Sequence, residues 1–109
     1  MTEETIIKHQ IKDYLNLCRV FWFPLLQGLG SYKGLPDIFL AYNGKVIACE
    51  IKKKKGFLSP FQFKFKQNWE ASGNRYLVAR SVEDVEKLLK EYEYFITDIE
   101  NEQEKRTVF

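Results

Sequence analysis

Apolar positions in residues 3–19 recur every three or four residues, at Ile7, Ile11, Leu15 and Cys18, with Glu4 on the same stripe. That is the period of one helical face, and Thr2 is placed to cap its start. From Val20 to Leu25 the pattern becomes an unbroken aromatic and β-branched run containing Pro24. Proline cannot donate to a ladder, so this run reads as a strand at the edge or end of a sheet. Gln27 to Gly34 is a glycine-rich connection without the Gly-Lys-Ser/Thr ending of a phosphate-binding loop. Two strands, Asp37–Tyr42 and Lys45–Lys52, then flank Asn43-Gly44, the strongest short hairpin signal. Apolar residues occupy both hairpin faces: Ile38, Leu40, Ile47, Cys49 and Ile51 on one, Phe39, Val46 and Ala48 on the other. A sheet of that kind is covered on both sides. Ser59-Pro60 opens a second helix with a cap and a proline at the first position. Its stripe of Phe61, Phe65 and Trp69 is assigned to the core, and Gly73 ends it. Tyr76–Ala79 is a short strand, and Ser81 caps a third helix striped by Val82, Val85, Leu88, Leu89 and Tyr92. The order helix, three strands, helix, strand, helix predicts an α/β domain with a mixed central sheet flanked by helices. Residues 1–94 form that single domain, and residues 95–109 read as an irregular acidic tail.

The hairpin carries an electrostatic problem. A two-residue loop pairs Tyr42 with Lys45, and continuing that register sets Asp37 opposite Glu50. Two carboxylates would then share a face, with Cβ atoms roughly 4.5–5.5 Å apart, where like charges repel. Lys52 projects from the same face as Glu50 while Ile51 turns away. Asp, Glu and Lys clustered inside apolar strands make a plausible seat for a divalent metal, provided no β-bulge shifts the register.

Composition narrows the setting. The chain has 109 residues, 45% hydrophobic and 16% aromatic, which suits one packed domain. No apolar run approaches a membrane span, and Met1-Thr2-Glu3-Glu4 lacks the character of a signal peptide. Cys18 and Cys49 are too few for a disulfide framework and sit in apolar contexts, so both read as reduced, buried and intracellular. The lone His9 completes no zinc pattern and reads as a solvated helix position. Net charge is only +2, but residues 45–66 hold seven lysines against one acid, Glu50, while residues 82–105 hold nine acids against three lysines. A basic strip starting at the carboxylate pair suits a polyanionic partner.

Pro36-Asp37, twelve intervening residues, then Glu50-Ile51-Lys52 resembles the PD-(D/E)XK nuclease signature. With Glu4 near the start of the first helix, Gly34 ahead of Pro36-Asp37, and Ser59-x-x-Gln62 opening the next helix, the pattern resembles the VRR-Nuc (virus-type replication-repair nuclease) family in its minimal stand-alone form. That resemblance spans most of residues 4–90 and implies a restriction-endonuclease-like core. It implies Mg²⁺ or Mn²⁺ held by Asp37, Glu50 and the backbone carbonyl of Ile51, with Lys52 positioning water or stabilising phosphate charge. Magnesium takes oxygen ligands and keeps several waters, which agrees with a two-carboxylate seat. It also implies a homodimeric endonuclease on branched DNA such as Holliday junctions.

Several residues keep two readings. Glu4 is either a helix-start acid or a site residue, and Glu3 competes with it. Gln62 either closes a capping box on Ser59 or reaches the site. Lys53, Lys54, Lys55, Lys64 and Lys66 are assigned to DNA collectively. Phe61, Phe65 and Trp69 are core rather than a base-stacking platform. The rival functions are a non-catalytic nucleic-acid-binding module on the same scaffold and an interaction protein that binds an acidic partner.

Overall fold

The computed structural model describes residues 1–28 and 30–93. Helix α1 spans Glu3–Leu17, with the Thr2 hydroxyl accepting from the Thr5 N–H at 3.1 Å as its cap. Arg19 then takes a left-handed conformation that turns the chain into β1, Phe21–Pro24. Strands β2 (Ile38–Tyr42) and β3 (Lys45–Ile51) form the hairpin. Asn43 and Gly44 both have positive φ at its turn, as a type I′ loop requires. Helix α2 runs Pro60–Ala71, β4 is Arg75–Ala79, and α3 covers residues 82–93.

The sheet order is β1-β2-β3-β4, antiparallel except for the parallel β3–β4 pair. Edge strand β1 is the one that carries Pro24, as its missing donor requires. The observed hairpin pairs Tyr42 with Lys45 and Ile38 with Cys49, without a bulge. One sheet face, with Ile38, Leu40, Ile47, Cys49 and Ile51, is buried with Ile7, Ile11 and Leu15 of α1 and Val85, Leu88 and Leu89 of α3. The α2 side is shallower. Trp69 stacks between Phe39 of β2 and Phe65, with ring centroids at 5.2 and 5.7 Å.

Three expectations change. No residue of α2 is fully buried, and Phe61 is exposed rather than core. Phe65 and Trp69 are half-buried in the aromatic layer rather than enclosed. Cys18 ends α1 in solvent, where the helix stripe has already passed the sheet, and only Cys49 is buried. His9 is exposed, as read from the sequence. The acidic tail assigned to residues 95–109 lies outside the described residues. No helix among the described residues is long and apolar enough to cross a membrane.

Candidate functional site

The carboxylates come from the open end of the hairpin. Asp37 precedes β2 by one residue, and Glu50 is the next-to-last residue of β3, so the observed register sets them opposite each other. Asp37 is fixed by the cross-strand N–H of Ile51, which donates to its Oδ2 at 2.7 Å. Its Oδ1 lies 3.2 Å from Lys8 Nζ, and Lys8 is in turn 3.7 Å from Glu4 one helical turn earlier. Glu4 therefore reaches the site only through Lys8. Glu3 points elsewhere, accepting from the Lys54 N–H at 3.3 Å. Lys8 had no assigned role in the sequence. The available signal was its place one turn after Glu4 on the helix that packs against β3.

Glu50 is only 3% exposed. Its Oε1 accepts from Gln62 Nε2 at 3.0 Å and lies 3.7 Å from Lys52 Nζ. Its Oε2 is buried and has no hydrogen-bond donor among the described residues. Burial, then the negative charge of Asp37, push the Glu50 pKa up to about 8, against the pull of Lys52. A protonated Glu50 could also donate to Asp37, a further reason for the proton to stay. Burial opposes charge on Lys8, yet Asp37, Glu4 and Glu50 together outweigh it and the ammonium titrates above its usual range.

Gln62 contacts Ser59 and Glu50 at the same time. Its Oε1 accepts from the Ser59 N–H at 2.9 Å, its own N–H donates to Ser59 Oγ at 3.2 Å, and Nε2 remains for Glu50. The capping box thus aims the amide at the carboxylate. Gly34 makes this approach possible. Its φ is +82°, and a Cβ there would sit 2.2 Å from the Phe61 carbonyl oxygen. Between the loop and the start of α2 opens a cavity of about 400 Å³, lined by residues including Lys33, Asp37, Glu50, Phe61 and Gln62. Lys33 Nζ lies 5.1 Å over the Phe61 ring on its wall.

An uncompensated buried oxygen beside a second carboxylate suits a hard cation. Among the described residues no three His, Cys, Asp or Glu side chains converge on one point. A cation here would have two carboxylates and keep water for its remaining positions. Of the basic residues, Lys53, Lys54, Lys55 and Lys64 are exposed, whereas Lys66 is half-buried and paired with Glu70.

No family model matches this sequence, and no curated protein does. Solved structures do match the fold. One described as a VRR_NUC domain aligns with a TM-score of 0.70 at 21% identity, covering 84% of this chain and 99% of that one. Another, described as a VRR_NUC domain protein, gives 0.69 at 16% identity, covering 87% and 91%. This chain has the VRR_NUC fold.

Proposed function

We propose that this protein is a VRR-Nuc-type, metal-dependent endonuclease that hydrolyses phosphodiester bonds in DNA. The observation that carries the reading is Glu50: a buried carboxylate with one unsatisfied oxygen, opposite Asp37 and beside Lys52, at an open cavity. Such an arrangement costs stability in the isolated fold. A bound cation removes the cost, and catalytic sites are where such costs concentrate.

Asp37, Glu50 and the Ile51 backbone carbonyl are the groups that would hold Mg²⁺ or Mn²⁺. Bound there, the ion would lower the pKa of water and offset charge on the phosphate. The chain's own residues do the rest. Gln62 and the Ile51 N–H fix the two carboxylates in place before substrate arrives. Lys52 sets a compact positive charge beside Glu50, where a phosphate in attack geometry gains negative charge. Water is the nucleophile: its oxygen bonds to phosphorus as the bridging P–O bond breaks, the proton it loses passes to solvent, the departing oxygen takes up a proton and leaves as a hydroxyl, and no covalent enzyme intermediate forms. Glu4 acts through Lys8, holding its ammonium beside Asp37.

The substrate in this reading is branched DNA such as a Holliday junction, cut by a symmetric homodimer. Exposed Lys53, Lys54, Lys55 and Lys64 supply phosphate contacts. A second reading, a nucleic-acid-binding module without turnover, draws on Lys8, whose ammonium already neutralises Asp37 in place of a metal. Incubating the protein with single-stranded, duplex, flap and four-way DNA in Mg²⁺ or in EDTA separates the two. Cleavage only with metal, strongest on the four-way substrate, is expected; binding without cleavage in either condition favours the module.

A further inference from the structure

The basic loop after β3 is tied down by hydrogen bonds from outside it. Arg80 follows β4 and aims one guanidinium nitrogen, Nη1, at three of the loop's carbonyls: Lys53 at 2.8 Å, Lys54 at 3.3 Å and Gly56 at 2.7 Å. The loop closes on itself through the Gly56 N–H donating to the Lys53 carbonyl at 3.0 Å. From the other side Glu3 Oε1 accepts the Lys54 N–H at 3.3 Å. Arg80 is itself anchored, its backbone N–H donating to Asp84 Oδ2 at 2.8 Å in the first turn of α3. Arg80, itself anchored on α3, and Glu3 of α1 therefore fix the backbone from which Lys53, Lys54 and Lys55 project.

A surface loop gains little stability from such an arrangement, and charge alone would have Arg80 repel its lysine neighbours. Carbonyl acceptors resolve this, because the guanidinium sits among oxygen dipoles rather than ammonium groups. Ordering a lysine-rich loop normally costs conformational entropy when it meets a phosphate backbone. A loop held in advance avoids that cost.

We propose that Arg80, assisted by Glu3, is a positioning residue that pre-organises the Lys53–Gly56 loop as a clamp for the DNA phosphate backbone. The inference rests on the nuclease reading above and assigns Arg80 no contact with substrate. It separates two effects that a direct contact would combine. Loss of a phosphate contact lowers both affinity and its salt dependence, by roughly 0.9 in the log–log slope per contact. Loss of pre-organisation lowers affinity at every salt concentration and leaves the slope alone. Lys52 is spared, because its N–H pairs with the Ala79 carbonyl at 3.0 Å independently of the Arg80 side chain.

The test measures binding of a synthetic four-way DNA junction in EDTA over a salt series, for wild type, Arg80→Ala, Glu3→Ala and the triple variant Lys53→Ala, Lys54→Ala, Lys55→Ala. Hydrogen exchange of the free proteins is followed in parallel. Arg80→Ala is expected to weaken binding about 5- to 10-fold at each salt concentration with an unchanged slope. Glu3→Ala should do the same to a smaller extent, and the triple variant should flatten the slope by roughly 2–3. The Lys54 and Gly56 amides of Arg80→Ala should exchange at least about tenfold faster. In metal, its KM should rise while kcat stays within about threefold. A slope reduced by about one with unchanged loop exchange would make Arg80 an ordinary phosphate contact and overturn the proposal. Unchanged affinity in Arg80→Ala would overturn it too, while leaving the nuclease reading intact. A wild-type protein that neither binds nor, in Mg²⁺, cuts single-stranded, duplex, flap or four-way DNA removes the nuclease reading itself, and the clamp with it.

Discussion

Glu50 governs how this protein should respond to pH. Its folded pKa stands above the ordinary 4.5, at about 8, because burial and Asp37 disfavour the charged form. The unfolded chain therefore releases this proton first, and ionisation destabilises the fold. Stability from this group is greatest below pH 4.5, declines as pH rises toward 8, and levels off above. The metal-free melting temperature of wild type should fall across that window. Glu50→Gln, which keeps the shape without the charge, should melt higher by the equivalent of about 1–3 kcal/mol at alkaline pH and show a flatter profile. Mn²⁺ should raise the melting temperature of wild type and leave Glu50→Gln and Asp37→Asn unmoved, with cleavage abolished in both. If both variants keep the wild-type metal response, the cation binds elsewhere. Lys52 has a different signature. Its charge matters most as the phosphate gains charge, so Lys52→Ala should slow single-turnover cleavage by about 100-fold or more while affinity changes less than about threefold. An equal loss in both quantities would make Lys52 a binding residue only.

The hairpin was legible in the sequence because a two-residue Asn-Gly loop leaves one register, and that register alone sets Asp37 against Glu50. The capping box was legible for the same reason, a fixed spacing with one geometric solution. The depth at which α2 packs was not. Phe61, Phe65 and Trp69 have the period of a buried stripe, yet the helix start is tied to the Gly34 loop, which leaves Phe61 on the cavity wall. Lys8 and Arg80 were also illegible, since each works through partners 29 and 24–27 residues away in sequence. The junction of loop and helix gives a direct test. Gly34→Ala combines an unfavourable positive φ with a Cβ against the Phe61 carbonyl, so α2 must shift away from Glu50. A loss of about 2–4 kcal/mol in denaturant unfolding is expected, with cleavage reduced beyond what unfolding explains because Gln62 no longer reaches Glu50. Wild-type stability in this variant would mean that the close approach does not constrain the site.

The two ends of the hairpin differ in chemistry. The carboxylates occupy the open end, whereas the row Phe21–Ala41–Val46 crosses the sheet beside the turn, about 13 Å away for four residues of strand. Along that row Phe21 is 68% and Val46 49% exposed, and neighbouring Phe23 is 42% exposed. The run from Val20 to Phe23 holds three aromatic rings in four residues. It divides by alternation: Val20 is buried, Trp22 packs on the core with its Nε1 donating to Asn16, and Phe21 and Phe23 stay outside. Further along the chain Tyr92 packs against the core, and Tyr94 and Phe95 lie outside the described residues. Phe21 on edge strand β1, at the turn end of the hairpin, offers apolar surface where a second copy can dock. Phe21→Glu with Phe23→Glu should therefore convert a dimer to a monomer in light scattering at micromolar concentration, with the fold intact by circular dichroism. Cleavage of a four-way junction should then lose its paired, symmetric incisions, while nicking at a single site persists. A wild-type protein that is monomeric both free and on the junction would rule out the dimer and leave that surface exposed to solvent.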